Sequence, residues 1–200
     1  MLLNQVEYAL MNNPVRAAIQ RHFEARRLLR MGGAMHGGKA LEIGCGRGIG
    51  TELILDVFGA DTVDAFDLDP RMVALARQRL LPRWPRVRQW VGDASAIAAA
   101  DERYDAVFDF GIIHHVPDWR RALREAYRVL KPGGRLYAEE VLKAFIVRPT
   151  TRSLLEHPLA NRFDTPGFLA GLQEAGFISS ASEELWHSFT WVVAMKPEAA

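Results

Sequence analysis

The stretch Leu41-Glu42-Ile43-Gly44-Cys45-Gly46-Arg47-Gly48-Ile49-Gly50 constrains this 200-residue chain more than any other. Ala40, Leu41 and Ile43 form a short apolar strand that stops at glycines set on alternate positions, and Ile49 to Phe58 follows with helical character. Glycines placed there let the backbone turn sharply and let a ligand lie against it with no side chain between. A dinucleotide fingerprint needs glycine at its first, third and sixth positions, and the sixth residue from Gly44 is Ile49. A phosphate-binding loop needs a Lys-Ser/Thr pair after its glycines, and none stands here. Neither a pyrophosphate nor a triphosphate is the expected ligand.

The rest of the chain repeats the same unit. Thr62 to Phe66 is a second strand closed by Asp67, and Asp69-Pro70 caps a helix to about Leu80. Val87 to Val91 and Ala106 to Phe110 are the third and fourth strands. Asp118 caps a helix that stops at Lys131-Pro132-Gly133-Gly134, and Arg135 to Ala138 is the fifth strand. Thr165-Pro166 opens a helix ending at Gly176. Ile178 to Leu185 and Thr190 to Met195 are joined without room for a crossover helix and are expected to pair antiparallel. Strands alternating with helices predict an α/β, doubly wound, mostly parallel sheet with helices on both faces.

Upstream, Asn13-Pro14 starts a first helix in which Val15, Ala18, Ile19, Phe23 and Leu29 recur at helical spacing, and the glycine-rich segment up to Lys39 links it to the main body. The expected organisation is a single domain: residues 1–38 a helical lead-in and linker, 39–141 a ligand-binding core, 142–164 a substrate-side lid, and 165–200 a C-terminal helix with the closing strands. The aperiodic lid segment is expected beyond the carboxyl ends of the strands, where open α/β sheets bind ligands.

Composition narrows the class without naming it. With 25 Lys+Arg against 24 Asp+Glu, the net charge of +1 supplies no global field for nucleic acid. Cys45 has no partner for an internal disulfide, the start of the chain makes a poor signal peptide, and no apolar run reaches the ~18 residues of a membrane span, so a cytoplasmic location is expected.

Asp67 follows Gly44 by a little over twenty residues at the end of the second strand, where a carboxylate can accept both hydroxyls of a ribose. Gly92-Asp93-Ala94 brings a second acid to the third strand end, where it can accept from an adenine amino group. A lone aspartate at either place is most simply a turn or cap residue. A glycine loop, an acid and another acid on three successive strand ends is a far more specific pattern.

Together with Asp64 to Met72, Val91 to Ala94, Tyr104 to Asp118 and Arg128 to Leu136, the Leu41 to Gly50 segment resembles the ordered motifs of class I S-adenosylmethionine-dependent methyltransferases, in particular those acting on small molecules. The resemblance runs in register over about residues 38 to 141. It implies a seven-stranded Rossmann-like sheet with an antiparallel C-terminal strand, and S-adenosyl-L-methionine as cofactor. By the same resemblance Gly44, Cys45 and Gly46 pack on its methionine part and Glu42 fixes that loop and helps hold the amino group. Asp67 takes the ribose hydroxyls, Leu68 and Met72 line the adenine, Asp93 and Ala94 recognise its edge, and Phe110 lies near the methyl group.

Methyl transfer from an activated sulfonium runs largely on proximity and alignment, and needs a base only where the acceptor must lose a proton. His114 of the His114-His115 pair is the candidate base, against the plainer role of a turn histidine; side chains of neighbours diverge in strand and helix, so no shared metal is expected. Cys45 is a small loop filler. Arg71, Arg77, Arg79, Arg83, Arg86 and Arg88, interleaved with Trp84 and Trp90, could form a nucleic-acid patch, but lie on the helical flank away from the expected cleft, so no nucleic-acid partner is expected. Arg16, Arg21, Arg26, Arg27 and Arg30 of the first helix fit either packing on the domain, which is favoured, or peripheral contact with an anionic membrane.

The expected function is thus methyl transfer to a small-molecule acceptor. The alternatives are a nucleic-acid or protein methyltransferase, a non-catalytic binding module for the same cofactor, and more remotely a nicotinamide dehydrogenase. Against base methylation, Phe110-Gly111-Ile112-Ile113 stands where an Asn/Asp-Pro-Pro-aromatic box would be.

Overall fold

The computed structural model describes residues 13–147 and 161–198. Seven strands, β1 (Lys39–Ile43), β2 (Thr62–Asp67), β3 (Val87–Val91), β4 (Tyr104–Phe110), β5 (Leu130–Val141), β6 (Ile178–Leu185) and β7 (Phe189–Met195), form one sheet in the order β3-β2-β1-β4-β5-β7-β6. Pairings from β3 across to β5 are parallel, and β7 runs antiparallel between β5 and β6. The order turns back between β1 and β4, so the loops leaving these two strands depart to opposite sides and leave a crevice at their carboxyl ends.

Two apolar layers cover the sheet. On one face Leu41, Val107, Leu136 and Val192 pack against Trp119, Leu123 and Phe168. On the other Phe108, Tyr137 and Val193 pack against Leu28, Leu53 and Phe58. Strands of the centre are apolar on both faces because both are covered.

Helix starts follow their caps. The Asn13 side chain accepts from Arg16 N, 2.9 Å, at the head of α1 (Pro14–Ile19); a π-helical stretch, Gln20–Glu24, carries the chain into α2 (Ala25–Gly32). After α3 (Ile49–Asp56) comes α4 (Pro70–Leu80), capped by Asp69, and then α5 (Trp119–Val129), capped by Asp118. A short α6 (Lys143–Ile146) follows β5, and Asp164 caps α7 (Thr165–Glu174).

Two expectations are revised. Strand β5 begins at Leu130, because Lys131-Pro132-Gly133-Gly134 continues in extended form after a register shift opposite Tyr104/Ala106. The apolar spacing of the first helix does not mark its buried face: Val15, Ile19 and Phe23 are exposed, and the face turned inward carries Arg16, Ala17, Gln20, Glu24 and Leu28. Of the expected lid, 148–160 lies outside the described residues, while Leu142, Ile146 and Phe163 are buried at its two ends.

The arginine-rich stretch from Arg71 to Arg88 is engaged with its own domain. Arg71 pairs with Asp69 at 2.7 Å, Arg83 with Asp56 at 2.7 Å, and Arg86 donates to the carbonyls of Ala60 and Asp61.

Gly171 sets the distance between α7 and α5, since a Cβ there would lie 2.3 Å from the Trp119 ring. Overpacking at such a contact costs about 1–3 kcal/mol. Gly171→Ala is therefore expected to lower stability by that amount in urea unfolding.

Candidate functional site

At the carboxyl edge of the sheet lies a cavity of about 420 Å³. Its floor is the β1–α3 loop, where Gly44, Gly46 and Gly48 all have positive φ. A Cβ at Gly44 would lie 2.1 Å from Ile112, and one at Gly50 would lie 1.9 Å from a Glu42 oxygen and 2.7 Å from Phe110. Both glycines are there for closeness, and Gly44 for the turn as well.

Glu42 is buried beneath this loop and accepts a short hydrogen bond from the Thr51 hydroxyl of α3. Burial pushes its carboxyl up to about 8, with the nearby Asp67 acting in the same direction. Asp67 closes β2 and braces the loop: one oxygen accepts from Gly46 N and the other from Asp69 N, each at 2.9 Å. Each of those oxygens keeps a second lone pair for a ligand. Asp93 follows β3 and is fixed by Ser95, whose N–H and hydroxyl both reach the same carboxylate oxygen at 2.8 Å. Those bonds hold its pKa below the usual carboxylate range and leave its other oxygen to a ligand.

All of Glu42, Gly44, Cys45, Gly46, Asp67, Leu68, Met72, Asp93, Ala94 and Phe110 line this one cavity. Cys45 is buried, and burial followed by the nearby carboxylates raises its pKa, so it carries no thiolate.

His114 does not line the cavity. It sits behind the wall, in the turn Ile113–His115, with Nδ1 2.6 Å from Glu140 Oε2. Burial, and then Arg162, pushes its pKa down to about 3, which makes the ring a neutral hydrogen-bonding group and a poor proton acceptor. Glu140 in turn gathers the N–H groups of Ile113, His114 and Val141. His115 is the histidine on the cavity wall, and the two rings lie 4.2 Å apart within the same 3-10 turn.

Of the remaining wall, only the part from the first helix lies outside the motifs. Arg16, Ala17 and Gln20 of the first helix roof the cavity, and Val116, Pro117 and Asp118 follow His115 along its rim. Arg16 is tied by a short ion pair to Glu24 and reaches Glu139 of β5 at 3.5 Å. A helix whose inward face is polar beside an apolar core was the available signal, and the Val15/Ile19/Phe23 spacing masked it.

Glu42 has a stability consequence. A carboxyl whose pKa is higher folded than unfolded binds more protons in the folded state, so its contribution is present at low pH and fades as pH rises toward about 8. The ligand-free protein is expected to lose stability in urea between about pH 5 and pH 8. Glu42→Gln, which keeps an acceptor for Thr51, is expected to flatten that slope.

Residues 41–138 match the family model described as a methyltransferase domain. The chain is 34% identical to a ubiquinone/menaquinone biosynthesis C-methyltransferase of Methylobacterium nodulans, over 70% of this chain and 65% of that protein. It is 35% identical to phosphoethanolamine N-methyltransferase 2 of Caenorhabditis elegans, over 54% of this chain and 24% of that protein. The chain thus spans from about a quarter to just under two thirds of the length of these relatives. A solved SAM-dependent methyltransferase from Aquifex aeolicus shares the fold, with TM-score 0.76, 20% identity, and coverage of 96% of this chain and 98% of that one. The glycine loop, the acids at the ends of β2 and β3, and these likenesses make residues 41–138 a domain of the class I S-adenosylmethionine-dependent methyltransferase family.

Proposed function

We propose that this chain binds S-adenosylmethionine in the cavity and transfers its methyl group to a small-molecule acceptor by in-line displacement, releasing S-adenosylhomocysteine. The observation that carries the proposal is the convergence of Glu42, Asp67, Asp69 and Asp93 on one cavity floored by a glycine loop. The carboxylates of Asp67 and Asp93, with Glu42 able to give up its proton beneath a bound cation, suit a ligand that is cationic and free of phosphate, and oppose a pyrophosphate.

Bound there, S-adenosylmethionine supplies a methyl group already activated by its sulfonium. Backbone at Gly44 and Gly46 gives the methionine part a surface without side chains, and Glu42 beneath it is the acid for the amino group. Asp67 offers its remaining lone pairs to the ribose hydroxyls, Leu68 and Met72 flank the adenine, and Asp93 with Ala94 meets its edge. Phe110 and His115 stand at the opposite end with Arg16 and Gln20 above, and this is the wall left for the acceptor. An acceptor that must lose a proton has His115 as the nearest candidate base, with His114 and Glu140 positioning the turn that carries it. The small-molecule acceptor is supported by the size of the cavity and by the activities for which the two relatives are named.

Calorimetry with S-adenosylhomocysteine is expected to show one site per chain, and Asp67→Asn to weaken it about tenfold or more, the scale of one lost hydrogen bond to a charged group. Absence of binding would overturn the proposal. With methyl-labelled S-adenosylmethionine and cell extract, label is expected in the low-molecular-weight fraction; label confined to protein or nucleic acid would overturn the acceptor class.

With that acceptor in hand, His115→Ala is expected to lower kcat by about 10²–10⁴ and to flatten the acid limb of its pH profile if His115 is the base, with S-adenosylhomocysteine affinity within about twofold. An unchanged profile removes that role.

A further inference from the structure

The first helix is built inside out. Its exposed positions, Val15, Ala18, Ile19, His22, Phe23, Arg26 and Arg30, recur at three- and four-residue steps and form one continuous outward stripe. Val15 is 69% exposed, Ile19 45% and Phe23 47%, while the polar Arg16, Gln20 and Glu24 are turned to the cavity and the sheet. A helix lying on its own domain in water shows the reverse. The stripe also contains no acid: beyond its apolar turns come Arg26 and Arg30, which form no ion pair among the described residues. Arg16, Arg21 and Arg27, by contrast, are held by Glu24 and Glu139, Glu52, and Glu183 respectively.

A second apolar group stands at the same sheet edge. Strand β6 runs parallel to β1 and ends at Leu185, and the turn that follows presents Trp186, 77% exposed. Phe23 packs edge-on against Trp191 of β7 at 5.9 Å and Arg27 bonds Glu183 of β6, which ties the helix to this hairpin as one rigid face.

We infer that this face is a docking surface for an anionic phospholipid membrane, with Val15, Ile19 and Phe23 entering the interface, Trp186 beside them, and Arg26 and Arg30 meeting lipid phosphates. The chemistry is that of an interfacial helix: an apolar stripe for the acyl boundary and cations for the headgroups. No helix among the described residues is long and apolar enough to cross a membrane, so contact is at the surface. Because the inner side of this helix roofs the cavity, docking places the acceptor wall against the bilayer. That last consequence rests on the methyl-transfer proposal, whereas the docking itself does not.

The test is sedimentation of the purified chain with phosphatidylcholine vesicles containing about a quarter phosphatidylglycerol, beside vesicles of phosphatidylcholine alone. The expected result is binding to the anionic vesicles that falls at least about tenfold without phosphatidylglycerol, or in about 0.5 M NaCl, where charges are screened within a few ångströms. Val15→Glu/Ile19→Glu and, separately, Arg26→Glu/Arg30→Glu are each expected to lose binding at least about tenfold, with Tm and S-adenosylhomocysteine affinity unchanged. Three results would each overturn the inference: no vesicle binding by the parent chain, binding untouched by both variants, or a dimer by sedimentation equilibrium that Val15→Glu/Ile19→Glu dissociates. A fall of several degrees in Tm for Val15→Glu/Ile19→Glu would also overturn it, since that face would then be covered within the chain itself.

Discussion

A carboxyl group buried under a glycine loop is the constraint around which the site is arranged. Glu42 sits on the central strand β1, and water cannot reach it, so its remaining acceptor capacity must be met from the protein or from a ligand. Thr51 meets part of it, and Gly50 is the only residue whose side chain leaves room, because a Cβ would overlap the carboxylate. The loop is then braced from the next strand by Asp67 through Gly46 N. Three residue types that seem separate in the sequence, an acid, a glycine and a threonine, are thus one packing unit, and the acid of β2 closes it.

That unit sits where the strand order turns back between β1 and β4, the one place in the sheet where two loops diverge. The consequence is an asymmetric cavity. Its β1, β2 and β3 side is carboxylate-rich and held by backbone hydrogen bonds. Its β4 and β5 side is made of Phe110, Ile112, His115 and the roof helix, with the buried Asp109, Glu139 and Glu140 behind. Burial, and then the neighbouring Glu140, raises Asp109 well above its usual value, while on the opposite side Ser95 holds Asp93 below its usual value and burial pushes Glu42 up to about 8.

Most of the sheet was legible because each of its elements carries a local physical marker. Asn13, Asp69 and Asp118 cap helices with their side chains, and the closing hairpin betrays itself by a connection too short for a crossover. The cavity floor was legible for the same reason: its lining comes from a glycine loop and from acids at strand ends, whose positions follow from the strands. The acceptor wall was not. His114 and His115 are adjacent, and only the 3-10 turn decides which one faces the cavity and which one is spent on Glu140. Spacing alone could not distinguish them, since a 3-10 turn of three residues leaves no period to detect.

The first helix failed differently, and its failure is informative. Apolar periodicity reports that a helix has an apolar face; it does not report what that face meets. The usual inference, that it meets the core, holds where the opposite face is solvated. Here the opposite face is occupied by a ligand cavity and by an arginine held between Glu24 and Glu139, so the polar side is the inside. The π-helical stretch at Gln20–Glu24 changes the helical phase between the part that roofs the cavity and the part, Ala25 and Leu28, that packs in the ordinary way on the core. One element therefore obeys two opposite rules of burial along its length. The residues matched by the methyltransferase family model, 41–138, do not include this helix. Under the proposed function, the acceptor side of the cavity accordingly draws in part on a helix outside the matched residues.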